Sequence, residues 1–159
     1  MKKIVIIRHA ESPIKPGAVD KQRELSDYGV EQAKLLGVNL RCRLDDVDEV
    51  VCSTAERTCQ TLTGFASALP RTANISYEDS LYNASANEII ERVNLAKDSS
   101  RGILIIAHNP GVSDILRMVA PESGHHGHTP ASVAYYYSIA NKWGDVAFAN
   151  MKLKFFMRS

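Results

Sequence analysis

Two apolar runs, Ile4-Val5-Ile6-Ile7 and Ile103-Leu104-Ile105-Ile106, limit what this chain can become. Unbroken aliphatic stretches this short read as strands buried on both faces, the kind found inside a parallel sheet. Each run stops abruptly at nitrogen-rich side chains: Arg8-His9 after the first, His108-Asn109 after Ala107 in the second. In open α/β sheets the C-terminal edge of the strands is where ligands bind. Either end alone has an ordinary explanation, a surface arginine and a histidine satisfied by a backbone carbonyl. The two together weigh toward function.

The rest of the chain alternates strand and helix patterns. Pro13, Pro16 and Gly17 make Pro13 to Glu24 a polar loop. Ser26 reads as the N-cap of a helix with Val30, Ala33, Leu36 and Leu40 on one face, and Gly37 on that face allows a close approach to the sheet. Glu49 to Cys52 is a second short strand, and Ser53-Thr54 is read as the cap of a helix running to Leu69 before Pro70. Ile75-Ser76-Tyr77 is a weaker strand. Ser85 caps a third helix with Ile89, Ile90, Val93 and Leu95-Ala96 inward, and a fourth helix runs through Ile115, Leu116 and Val119. Strands over Val133 to Ile139 and Val146 to Phe156 close the chain. This order predicts a three-layer α/β/α sandwich with a mostly parallel mixed sheet, right-handed crossovers and an antiparallel edge. Its 159 residues suit one domain, 1–159.

Nineteen basic and eighteen acidic side chains give a formal charge of +1, which offers no footprint for nucleic acid or an anionic membrane. Cys42, Cys52 and Cys59 lack a metal-ligand spacing and read as reduced, buried small residues. Lys2-Lys3 before four aliphatics imitates a secretory leader, but Arg8-His9 interrupts it too early. No run approaches the roughly eighteen apolar residues of a membrane span. The expectation is a soluble, cytoplasmic protein.

If both strongly apolar strands are parallel, His9 and His108 emerge on one edge of the sheet. Arg57, in the first turn or so of the second helix, opens on the same edge. Two arginines, two histidines and helix N-termini repel one another unless an anion lies among them, and phosphate suits paired guanidinium groups.

At this point the motifs resemble a known family. Arg8-His9-Ala10-Glu11-Ser12 is similar to the Arg-His-Gly motif of the histidine phosphatase (phosphoglycerate mutase-like) superfamily, with Ala10 in place of glycine. Ser53-Thr54-Ala55-Glu56-Arg57-Thr58-Cys59-Gln60-Thr61 resembles its Ser-x-x-x-Arg-x-x-Gln-Thr element. His108-Asn109-Pro110-Gly111 resembles the corresponding element of the small SixA-type phosphohistidine phosphatases, with Ala107 replacing a glycine. The Asp20-x-x-Arg23-x-Leu25-Ser26-x-x-Gly29 and Leu81-Tyr82-Asn83-Ala84 segments match the same subgroup.

The resemblance implies a phosphoglycerate mutase-like fold and a metal-independent phosphohydrolase needing no cofactor. His9 would be the nucleophile, forming a phosphohistidine that water then cleaves. Arg8, Arg57 and His108 would hold the phosphoryl oxygens, whose charge the protein must stabilise. Asp79, or its neighbour Glu78, occupies the spacing of the proton donor in larger relatives, although an acidic turn facing solvent is the commoner outcome. The implied substrate is phosphohistidine on a protein, such as a histidine phosphotransfer domain. A small phosphorylated molecule, such as a sugar or nucleotide phosphate, is the alternative within the class, and a non-catalytic phosphoprotein-binding module the alternative outside it. The His125-His126-Gly127-His128 stretch reads as a flexible polar loop beside the site rather than a metal chelate. Cys59 lacks the glycine-rich loop that a cysteine phosphatase needs. Ser12 is read as a phosphate contact or a turn cap, and Asp20 and Arg23 as a pair near the mouth.

Overall fold

The two apolar runs lie side by side at the centre of the sheet. In a computed structural model, which describes residues 1–158, they form β1 (Lys2–Arg8) and β4 (Gly102–Ala107). These pair in parallel with Ile4 opposite Ile103 and Arg8 opposite Ala107. The first residues beyond that register are His9 and His108. Strand pairing therefore places the two histidines next to one another, and His9 N–H donates to the Ala107 carbonyl at 3.3 Å.

The remaining strands are β2 (Glu49–Ser53), β3 (Asn74–Glu78), β5 (Val133–Ser138) and β6 (Met151–Met157), and the sheet order is β3-β2-β4-β1-β5-β6. β1 to β4 run parallel, while β5 pairs antiparallel with both β1 and β6. The sheet is mixed with its antiparallel pairs at one side, as the pattern predicts. Side chains alternate between two cores. Val5, Ile7, Leu104 and Ile106 meet α1 (Asp27–Leu40) and α2 (Glu56–Phe65), while Ile4, Ile6, Ile103 and Ile105 meet α3 (Ala86–Asn94) and α4 (Gly111–Val119). All eight of these strand residues are fully buried, and each such side chain stabilises the fold by about 1.5–3 kcal/mol. Helices on both faces of one sheet make the three-layer sandwich.

Local signals explain the helix starts and several departures. Ser26 caps α1 by accepting from Gly29 N–H at 3.0 Å, and Ser85 with Glu88 forms a full capping box on α3. A Cβ on Gly29 would lie 2.1 Å from the Glu11 carbonyl oxygen, so only glycine lets α1 dock against the segment leaving β1. Gly37 faces Phe65 and Gly64 of α2, not the sheet, so the close approach it permits is between helices. Val30 is half-exposed beside the buried Ala33, Leu36 and Leu40. The cap expected at Ser53-Thr54 is absent: Ser53 is the last residue of β2, and the N-cap of α2 is Ala55 without a side-chain bond. α2 ends at Phe65 and a 3-10 turn over Ala66–Ala68 follows.

Leu95, expected inward, is exposed because α3 stops at Asn94 and the chain turns there, while Ala96 is buried. The last strand begins at Met151, not Val146. Asn150 accepts from Ser138 Oγ and Ala147 N and donates to the Asp145 carbonyl, folding residues 143–150 into two 3-10 turns. Trp143 in the first of these is fully buried and donates to the Ser100 carbonyl. Tyr135 and Tyr136 are buried on opposite faces of β5, and Phe155 of β6 stacks on Tyr135. Cys52 is buried and Cys59 half-buried, but Cys42 is exposed, contrary to the expectation for all three; it follows α1 in a left-handed turn with φ of 63°. Among the described residues no helix is long and apolar enough to cross a membrane.

Candidate active site

The cleft lies at the C-terminal edge of β1 and β4. His9 is 7% exposed and Arg57 3% exposed, so both are effectively withdrawn from bulk water. His9 Nδ1 lies 2.7 Å from the Ala10 carbonyl. A carbonyl can only accept, so Nδ1 carries the proton and Nε2 presents its lone pair. Nε2 in turn accepts from Arg57 Nε at 3.2 Å. Burial is the main cause that lowers the His9 pKa to about 4, with Arg57, Arg8 and Arg23 adding to it against the Ala10 carbonyl. The imidazole is therefore neutral at physiological pH and held in its nucleophilic tautomer.

Arg57 reaches His9 from the first turn of α2. Thr61 one turn later accepts from Ala10 N–H at 3.0 Å, tying that helix to the end of β1. His108 lies beside His9, ring centroids 5.2 Å apart. Its Nε2 is 2.7 Å from Ser53 Oγ, and Nδ1 is buried with no hydrogen-bond partner among the described residues. Burial, followed by His9 and Arg57, lowers its pKa to about 3. Arg8 donates from Nη1 to the His128 carbonyl at 2.9 Å, while its Nε is buried without a partner among the described residues. Burial and the charge of Arg57 both lower the Arg8 pKa. The structure thus brings His9, Arg57 and His108 together, with Arg8 lining the same cleft.

This cleft has a volume of about 320 Å³ and is lined by three arginines, Arg8, Arg23 and Arg57, against one carboxylate, Asp20. Unpartnered buried donors among cationic groups cost free energy that an oxyanion offsets. Such a cradle can bind a phosphoryl group and present it to a neutral imidazole nitrogen.

Asp79 and Glu78 are turned elsewhere. Asp79 is exposed and bonded to Lys21 and Thr54, and these contacts hold its carboxyl below its ordinary pKa. Glu78 forms a two-pronged pair with Arg92, which lowers its pKa in the same way. Neither lines the cleft. Ser12 lines it, but its hydroxyl donates to the Glu24 carbonyl, so it ties the loop. Burial pushes the Cys59 thiol up, the opposite of what a nucleophilic thiolate needs. In the histidine loop, His125 packs on Phe156 and His128 is buried with Nδ1 against Ser132 Oγ.

Several members of the site are not singled out by sequence reasoning. Ser53 is read there as a helix cap but holds His108. The His128 carbonyl accepts from both Arg8 and Asn109. Tyr82 donates to Asp20 at 2.6 Å and stands edge-on to His108. Asp20 and Arg23 do pair, at 3.0 Å, yet Asp20 also bonds Arg57. The Asp20 and Tyr82 motif segments are the available signal; nothing in the chain announces the loop carbonyl.

Residues 4–92 match the family model of the histidine phosphatase superfamily (branch 1). The chain belongs to that superfamily. The uncharacterized protein Rv1276c of Mycobacterium tuberculosis is 34% identical over 152 residues, which cover 88% of this chain and 91% of that one. SixA from Nakamurella multipartitia superposes with a TM-score of 0.81 at 29% identity, covering 99% of this chain and 95% of that one. The protein histidine phosphatase SixA in complex with tungstate superposes with a TM-score of 0.79 at 18% identity, covering 98% and 96%. The histidine phosphatase fold, phosphoglycerate mutase-like, thus extends over essentially the whole chain, and membership supports phosphatase chemistry on a phosphorylated substrate.

Three buried histidines give this histidine phosphatase a predictable response to acid. The pKa is lowered to about 4 in His9, about 3 in His108 and about 4 in His128, in each case chiefly by burial. An unfolded histidine titrates near 6.5. Between that value and the folded pKa the unfolded chain binds more protons, so stability is full above about pH 6.5 and falls as pH drops. Each group contributes a slope of about 1.4 kcal/mol per pH unit inside its window. The urea midpoint should fall clearly from pH 7 to pH 4.5, above the range where Asp20, held at about 2, protonates. A flat midpoint across that interval would contradict the buried, neutral state of these rings.

Proposed function

We propose that this chain is a metal-independent phosphatase that passes the phosphoryl group through His9 and acts on phosphohistidine carried by a protein. The observation that carries the reading is the state of His9: its proton is on Nδ1 against Ala10, and its Nε2 lone pair faces the guanidinium of Arg57.

In the first half-reaction Nε2 of His9 attacks phosphorus and the bond from phosphorus to the substrate imidazole breaks. The electron pair of that bond returns to the departing nitrogen, whose ring can be protonated before it leaves. In the second half a water oxygen attacks phosphorus, the bond from phosphorus to Nε2 breaks, and its pair returns to His9. The water proton leaves with phosphate. Charge on the transferring group is met by Arg8, Arg57 and the Nδ1 edge of His108, which is where the protein can contribute most in phosphoryl transfer. Because these cationic and donor groups supply the stabilisation, no step calls on a metal or cofactor. Asp79 and Glu78, each ionised and paired outside the cleft, are poorly placed to protonate a leaving group. A phosphoramidate bond is the substrate that needs least help there.

Two further points favour a protein-borne group. The cleft is open, with the exposed side chain of Ile14 in its lining, and the chain superposes along nearly its whole length, at 29% identity, on SixA of Nakamurella multipartitia. The test is a panel of substrates for the purified chain: a phosphohistidine-bearing phosphotransfer domain, free phosphohistidine, and aryl, sugar and nucleotide phosphates. The phosphoprotein should give the highest kcat/KM, by about tenfold or more, equivalent to about 1.4 kcal/mol of transition-state binding. Higher kcat/KM on an ester would overturn the substrate class. Binding of the phosphoprotein with no turnover of any member would overturn the enzyme in favour of a binding module.

A further inference from the structure

Arg57 is buried, and each of its three nitrogens already donates to the protein itself. Nε donates to His9 Nε2 at 3.2 Å, Nη2 to Asp20 Oδ2 at 3.2 Å, and Nη1 to the Asp20 backbone carbonyl at 2.8 Å. Nε and Nη2 form the planar fork that guanidinium groups use to grip two oxygens of one phosphate or carboxylate. Here one prong points at the nucleophile and the other holds a carboxylate oxygen.

The two occupants differ in what they can do. When His9 Nε2 bonds to phosphorus its lone pair is consumed, which releases the Arg57 Nε hydrogen to a phosphoryl oxygen. Asp20 Oδ2 has to be displaced or must tolerate a second anion beside it. Asp20 is suited to moving. Its side chain is 52% exposed, against 3% for Arg57, and it lies on a single 3-10 turn, Asp20–Gln22, in the loop between β1 and α1. The backbone contact through Nη1 keeps the loop moored if the carboxylate swings away. Tyr82 donates to the same Oδ2 at 2.6 Å and Arg23 to Oδ1 at 3.0 Å. The Tyr82 hydroxyl is the main cause that lowers its pKa to about 2, with Arg57 and Arg23 assisting, so it is anionic at neutral pH.

We infer that Asp20 is a positioning residue that sets how tightly this active site holds phosphate: its carboxylate stands on the Arg57 fork in the place of a phosphate oxygen, yields it to substrate, and returns to expel product. The inference rests on the phosphatase reading of the cleft and adds a determinant of product release to it. A site with three arginines and no competing anion would bind inorganic phosphate tightly and turn over slowly, since phosphate is product as well as ligand. An internal carboxylate, tethered so that it is always at high local concentration, weakens the ground state without touching the nucleophile.

The sign of one measurement separates this role from simple support of Arg57. Asp20→Asn keeps size and an acceptor oxygen but removes the charge. Calorimetric titration with inorganic phosphate should show binding at least about tenfold tighter in Asp20→Asn than in the wild type, the scale expected when a like charge a few ångströms from the ligand is deleted. Steady-state kinetics on an aryl phosphate should show the phosphate inhibition constant and KM falling together, with kcat lowered where release limits turnover. Asp20→Ala should tighten phosphate binding in the same direction, and equal unfolding midpoints confirm that both variants are folded. Damage to the site can only weaken binding. Wild-type binding of phosphate with unchanged or weaker binding in both variants overturns the inference and leaves the phosphatase reading intact. Failure of the wild type and both variants to bind phosphate at all overturns the two together.

Discussion

Replacing His9 with alanine should abolish turnover, with a loss far beyond that of any other single change in the cleft. In the proposed mechanism every other group stabilises or positions charge, and its removal should leave a weaker version of the same route. His9 offers phosphorus a neutral nitrogen in a fixed tautomer: its Nδ1–H is held by Ala10 and its pKa is lowered to about 4, so the ring is neutral at pH 7. Without that nitrogen, water must attack the substrate phosphorus directly in a site not arranged for it. Phosphate release measured with wild-type and His9→Ala protein on the same substrate checks this. The variant should still bind inorganic phosphate, since Arg8, Arg57 and His108 remain. Turnover in His9→Ala within a few-fold of wild type would remove the mechanism.

Arg57→Ala should cost at least ~10²-fold in kcat, the scale of a lost donor aimed at developing charge. The effect is large because Arg57 does three things at once. It points one N–H at the nucleophile, is positioned to grip phosphoryl oxygens, and moors the Asp20 loop over the cleft. Lysine at this position should recover little, because an ammonium lacks the planar fork. The variant also loses one of the charges that depress the His9 pKa, so the acid limb of the rate profile should move toward higher pH. Steady-state kinetics from pH 4 to 8 on both proteins report the two effects separately. Activity near wild type in Arg57→Ala would mean that the phosphoryl charge is met elsewhere.

The parts of this account that were legible in the sequence are those where one residue type has one physical reason to be where it is. Ile4 to Ile7 and Ile103 to Ile106 can hardly be other than covered strands, and two such strands in parallel register put His9 beside His108. Ser26 and Ser85 cap helices because their hydroxyls satisfy free N–H groups. Ser53 shows the limit. The same hydroxyl that suits a helix cap also suits a buried imidazole, and only the distance to His108, 2.7 Å, decides between them. Gly37 is similar: a missing side chain signals a close approach but not to what, and here the neighbour is another helix. Asp20 reads as a partner of Arg23 near the mouth, and its bond to Arg57, 37 positions on, shows only once the loop folds over the cleft. The His128 carbonyl, which holds Arg8, has no side-chain identity to read.

Trapping the covalent intermediate tests the central claim most directly. Wild-type protein mixed with a radiolabelled phosphoryl donor, quenched in alkali within the first turnover and digested, should carry label on the peptide containing His9, stable to base and lost in acid. Label on any other residue, or steady turnover with no label at His9, would contradict the account.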